Sequence, residues 1–163
     1  MSIPQESERM ADEYLSTTVD KFMIKVKKGL RYTRDDVWVQ QTGEAYRVGI
    51  TDLAQRMGGD IVFVDFLDRS EYKEGEPLAT YETIKAVLDV KAPFGCTVTA
   101  FNEGLGEKPE LMNEAPYGEG WVAEVKPVAS GKVEGLLSDR EYFSYMKAKA
   151  ESEVRKLKGA EDD

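Results

Sequence analysis

From residue 37 to residue 125 the chain is cut into short β-prone runs, each closed by Gly, Pro or Asn, and this punctuation constrains the fold most. The runs are 37–40, 44–50, 61–66, 78–84, 86–90, 97–101 and 121–125. Strands of this size predict a mainly β fold, a small sandwich or barrel. Helices intrude at few places. Thr51 or Asp52 caps a turn or two through Leu53, Ala54 and Met57, which Gly58-Gly59 ends. Residues 103–113, with Leu105, Pro109, Leu111 and Met112, read as a structured excursion. Ser138 and Glu141 make a capping-box pattern, and Tyr142, Tyr145, Met146, Ala150, Val154 and Leu157 keep one apolar face. They predict a long helix over 138–158, packed on the sandwich.

The start of the chain is different. Residues 1–20 are polar and acidic, with Met10, Tyr14 and Thr17 or Thr18 at helical spacing, and read as a short helix or a loose arm. Between Lys21 and Arg34 stand six basic residues and no acidic one, while Phe22, Ile24 and Val26 alternate with polar or longer side chains. That is a strand whose charged face is either a docking patch or simply solvated. With 163 residues the chain suits one domain, taken as 25–163, preceded by an extension over 1–24.

Charge and residue counts narrow the function classes. A net charge of −9 argues against nucleic acid or an anionic membrane as the main partner. The start lacks a signal-like apolar core and no run is long enough to span a membrane, so the expected location is cytoplasmic. There is no histidine and only one cysteine. A Ser-His-Asp or Cys-His nucleophile, a histidine-ligated zinc and an internal disulfide are all excluded. Chemistry must come from carboxylates, Lys, Tyr, the one thiol or a group added to the chain.

The segment Tyr81-Glu82-Thr83-Ile84-Lys85-Ala86-Val87 places a lysine between two β-prone runs. If those runs pair as a hairpin, Lys85 stands at its tip. It is then either a solvated turn residue or an accessible acceptor for a covalent group. Around it lie Gly49-Ile50-Thr51-Asp52-Leu53-Ala54-Gln55, Gly59-Asp60-Ile61-Val62-Phe63-Val64, Asn102-Glu103, Pro109-Glu110-Leu111-Met112-Asn113 and Pro116-Tyr117-Gly118-Glu119-Gly120-Trp121. With Leu30-Arg31-Tyr32-Thr33 and Leu136-Leu137-Ser138, these segments resemble, in order and spacing over about residues 30–146, the glycine cleavage system H proteins.

That resemblance implies a lipoyl-carrier fold: a barrel-sandwich hybrid of two small sheets, with short flanking helices and here a longer C-terminal helix. It implies lipoic acid in amide linkage on Lys85, with Glu82 read by the lipoylating enzyme or a docking partner. The protein would be a carrier without turnover of its own. Its arm would visit a glycine decarboxylase, an aminomethyltransferase and dihydrolipoamide dehydrogenase. Residues 113–121 are expected to form a turn beside the arm, with Tyr117 and Trp121 in the core.

Three departures stand out. Asp36-Val37-Trp38 replaces the family's usual His-Glu-Trp, Gly95-Cys96 replaces a Ser-Gly turn, and both chain ends are extended. They lean the reading towards the H-protein-like lipoate-binding proteins of bacterial sulfur oxidation, which work with a heterodisulfide-reductase-like complex. There Cys96 would assist by thiol exchange if exposed and acidified. The alternatives are glycine cleavage itself and a non-lipoylated adaptor using the acidic stretch 103–124, which has six acidic residues and one lysine.

Overall fold

A computed structural model describes residues 13–128 and 133–162. Its ten described strands form three antiparallel sheets. Five of them, β3 (Arg31–Tyr32), β4 (Val37–Thr42), β5 (Ala45–Ile50), β9 (Cys96–Phe101) and β10 (Ala123–Pro127), make one sheet in the order β3-β4-β5-β10-β9. The second sheet has the order β6-β7-β8, from β6 (Ile61–Phe66), β7 (Pro77–Thr83) and β8 (Val87–Lys91). Val39, Val48, Val64, Leu78, Val90, Phe94, Cys96 and Val125 fill the core between them. The seven runs read from the sequence all lie on strands, within a few residues at each end.

The connections are short because the turn residues do what their chemistry allows. Thr51 caps α1 (Asp52–Gly58) by accepting from the Ala54 N–H at 3.4 Å, and Gly59, at φ 84°, ends it in a conformation that favours glycine. The excursion after β9 is two single turns, α2 (Gly104–Glu107) and α3 (Leu111–Glu114). Asn113 locks them down, accepting from the Ile61 N–H at 2.9 Å and donating to the Gly59 carbonyl at 3.0 Å. Gly120 is required nearby, since a Cβ there would lie 2.4 Å from the Leu111 carbonyl oxygen.

The third sheet comes from the extension. Residues 14–19 are not helical but form strand β1 (Tyr14–Val19), which pairs with β2 (Phe22–Lys27) through a turn at Asp20, φ 58°. β2 therefore runs across residues 24 and 25, where the sequence placed the end of the extension. Residues 1–12 of the expected arm lie outside the described residues. The inner face of this hairpin, Val19, Ile24 and Val26, packs with Tyr142, Met146 and Ala150 of α4 (Asp139–Asp162). A second core thus forms, with Tyr32, Trp38, Leu53 and Tyr117 as its floor. The helix lies on the hairpin and the β3 edge rather than directly on the two-sheet core. Its start is the capping box read from sequence: Glu141 accepts from the Ser138 N–H at 2.9 Å, and Ser138 Oγ from the Glu141 N–H at 3.2 Å. Leu157, assigned to the apolar face, is instead exposed. No helix among the described residues is long and apolar enough to cross a membrane.

Candidate functional site

β7 and β8 pair as a hairpin, and Lys85 stands at its tip. The tip is short and braced. Thr83 donates its N–H to the Ala86 carbonyl at 2.9 Å, and its Oγ1 accepts from the N–H groups of Lys85 at 3.1 Å and Ala86 at 3.2 Å. One buried threonine side chain thus fixes the backbone on both sides of the lysine. Ile84, beside it, is 89% exposed, and Lys85 is exposed too.

Glu82 lies on the solvent face of the same sheet, between Phe63 on β6 and Val87 on β8. It forms no ion pair among the described residues. Phe63, Val62, Val87 and Ile84 are all exposed. The lysine therefore rises from an apolar patch edged by a carboxylate.

Beside Lys85 opens a cleft of about 590 Å³ between α1 and the β7–β8 hairpin. Ile50, Ala54, Met57 and Leu88 supply apolar wall, while Asp35, Asp36, Asp89, Lys91 and Lys149 bring charge. Two of those acids are neutralised. Lys149 Nζ lies 2.6 Å from Asp36 Oδ2, and Lys91 Nζ lies 3.7 Å from Asp35 Oδ1. Asp36 has left-handed backbone, φ 62°, and its other oxygen accepts from the Tyr142 hydroxyl at 2.8 Å. Tyr142 in turn accepts from Thr51 Oγ1 at 2.8 Å, the α1 cap. Burial lowers the Lys149 ammonium, but its hydrogen bond to Asp36 and that carboxylate's charge outweigh this and leave its pKa raised. This chain of contacts ties the C-terminal helix to the wall of the cleft.

Sequence reasoning missed that network. Asp36 and Lys149 are 113 residues apart, and neither carries a local pattern that marks the other. Only the spacing of Tyr142 and Lys149, two turns apart on one helix face, hinted that they point the same way.

Other expectations fall differently. Residues 113–121 do not border the cleft. They pack on the opposite side of α1, where Tyr117 donates to the Lys25 carbonyl at 2.7 Å and accepts from the Asp52 N–H at 3.2 Å. Tyr117 is a core residue, as expected, whereas Trp121 is only half-buried under the Arg47 guanidinium, 4.3 Å from its ring. Thiol exchange at Cys96 needs exposure and a lowered pKa, and the structure corrects both points. Its side chain is 0% exposed beneath the Tyr72 bridge, and burial pushes the thiol up to about 11. Among the described residues there is no cluster of three or more metal-ligating acidic or cysteine side chains.

Comparison with known proteins agrees with this geometry. Residues 30–149 match the family model described as Glycine cleavage H-protein. A glycine cleavage system H protein of Halothermothrix orenii is 40% identical over 124 residues, covering 76% of this chain and 97% of that protein. A probable glycine cleavage system H protein of Aeropyrum pernix is 36% identical over 143 residues, 87% of this chain and 100% of that protein. The crystal structure of a glycine cleavage system H protein from Mycobacterium marinum superimposes with a TM-score of 0.63 at 31% identity, over 72% of this chain and 95% of that one.

Proposed function

Because this chain belongs to the glycine cleavage H-protein family, we propose that Lys85 carries its lipoyl group and that the protein shuttles the aminomethyl cargo of glycine cleavage. Proteins of this family are not catalysts but carriers, with lipoate covalently attached to a lysine. The observation that carries the reading is the tip of β7–β8, where an exposed lysine stands on backbone fixed by Thr83.

The residues present fit such a group. Amide formation needs an accessible primary amine, and Lys85 is exposed beside an uncovered turn residue, Ile84, which is 89% exposed. An aliphatic arm needs apolar surface within reach, and Ile50, Ala54, Met57 and Leu88 line the adjoining cleft. When attached, lipoate supplies the redox-active sulfur pair that this one-cysteine chain lacks. The protein's own work is to hold the attachment point still, to keep it clear of its own surface and to offer Glu82 with the apolar residues around it for recognition. Tethering raises the effective concentration of the cargo at each enzyme visited, a glycine decarboxylase and an aminomethyltransferase, with dihydrolipoamide dehydrogenase restoring the disulfide.

The relatives above are named for glycine cleavage, which favours this reading over sulfur oxidation with a heterodisulfide-reductase-like complex. Burial of Cys96 also removes one of the three features on which the sulfur reading rested. Mass spectrometry of the protein from a lipoate-replete host is expected to find one lipoyl amide, on Lys85. An unmodified Lys85 there would overturn the proposal. A Lys85→Arg variant that still supports glycine decarboxylation would point to the acidic adaptor instead.

A further inference from the structure

The β1–β2 hairpin lies outside residues 30–149, the part that the family model matches. Its inner face is used up against α4. Its outer face carries Met23, Lys25 and Lys27 on β2, opposite Thr18, Ser16 and Tyr14 on β1. Lys25 and Lys27 form one wall of a groove of about 320 Å³, with Arg56, its ion-pair partner Asp52, Glu114 and the turn around Tyr117 as the other. Lys25 Nζ sits 5.2 Å over the Tyr14 ring.

Two facts separate this face from a merely solvated one. In a chain of net charge −9, Lys21, Lys25, Lys27 and Lys28 make no ion pair among the described residues. On the same face Met23 is 54% exposed, which solubility does not require. Backbone pairing is not on offer at the inner edge of β2, because Asp52 accepts the Lys25 N–H at 2.9 Å and Tyr117 donates to its carbonyl. Along β2, side chains alone present the surface. We infer that the outer face of β1–β2 docks an acidic segment, bearing apolar side chains, of a protein the carrier visits. Complementary charge would steer the encounter, and Met23 would give the contact its apolar anchor.

The identity of the visited proteins rests on the carrier reading, so the test has two arms. In the first, lipoylated full-length protein and its Lys25→Glu/Lys27→Glu and Lys25→Arg/Lys27→Arg variants are offered to the host's decarboxylase, aminomethyltransferase and dihydrolipoamide dehydrogenase. The glutamate pair is expected to raise KM about tenfold with at least one enzyme at low salt. The change should leave kcat untouched and shrink as salt is added, and the arginine pair should behave as the parent. Equal KM values with all three enzymes overturn the docking face.

The second arm needs no lipoate. Amide chemical shifts of the full chain are followed while a synthetic peptide of alternating acidic residues and leucine is added. Saturable shifts at Ser16, Met23, Lys25 and Lys27, lost in the glutamate pair, support the face. Shifts spread equally over Lys147, Lys156 and Lys158 of α4, or unchanged by the substitutions, overturn it. If the parent is no substrate for any of the three enzymes, the carrier reading falls and the peptide titration alone decides the docking face. An effect that vanishes when residues 1–12 are deleted assigns the face to the chain's own acidic start, and also overturns it.

Discussion

The β7–β8 and β1–β2 hairpins both reach the surface of this protein, and they are supported in different ways. β7–β8 is an edge of the sheet packed on the larger core, with Leu78, Tyr81 and Val90 buried beneath it. β1–β2 has no third strand and packs on α4 through Val19, Ile24, Val26, Met146 and Ala150, with Asp52 and Tyr117 bonded to its β2 edge. Both expose apolar side chains, but the first presents a single lysine on a braced tip and the second a row of lysines along a face. A precise attachment point is built where the backbone is over-determined, whereas a surface for encounter tolerates a peripheral support. The family match begins after the second hairpin and takes in the whole of the first.

The largest expected effect breaks the comparison at its sharpest point. Lys85→Arg keeps the charge but removes the primary amine, so lipoylation and glycine decarboxylation should be lost completely. Lys25→Arg/Lys27→Arg makes the same chemical exchange on the other hairpin and should leave both intact. Intact-mass spectra before and after incubation with the lipoylating enzyme read the first outcome, and a coupled decarboxylation assay the second.

Next in size is a test of the supports themselves. Met146 is fully buried between α4 and the β1–β2 hairpin. Met146→Ala should destabilise the fold by about 2–5 kcal/mol in chemical denaturation, because the helix and hairpin cannot close the cavity. The Lys85 tip rests on a different core, so the folded variant should still be lipoylated at the parental rate. A parallel loss of lipoylation would mean that the two hairpins are mechanically coupled.

What could be read from sequence follows the same division. The strands of the two larger sheets, the Thr51 cap, the capping box at Ser138 and the Lys85 tip all depend on contacts between near neighbours, and each left a pattern in the chain. The β1 strand was misread because Tyr14 and Thr17 or Thr18 fit helical spacing as well as alternation, and only pairing with β2 decides between them. The contacts of residues 113–121 could not be read for another reason. Their polar groups pair with Gln55, Gly59 and Lys25, partners that no local pattern identifies. Cys96 looked like a turn thiol, yet it begins β9 and its neighbour across the bridge is the buried Tyr72.

The smallest effect concerns the one place where the helix that supports β1–β2 touches the cleft beside β7–β8. Tyr142 donates to Asp36 and accepts from Thr51, and replacing it by Phe keeps the ring stacked on Tyr32 at 4.6 Å while leaving both partners one hydrogen bond short. Lys149 still neutralises Asp36, so the loss at neutral pH should be about 1–2 kcal/mol. The pH dependence is the more telling readout. Burial, followed by the Asp36 charge, raises the Tyr142 phenol well above its ordinary value, and burial likewise lifts Tyr81 to about 12. In the unfolded chain these phenols ionise near pH 10, while in the fold they stay protonated. Their contribution to stability is therefore complete below pH 10 and is lost as pH rises towards the folded values. Denaturation midpoints measured from pH 8 to 12 should fall above pH 10 in the parent and fall less steeply in Tyr142→Phe, which has one raised phenol fewer. Equal slopes would mean that Tyr142 is not held neutral by the wall of the cleft, and that the contact between the two hairpins' supports is packing alone.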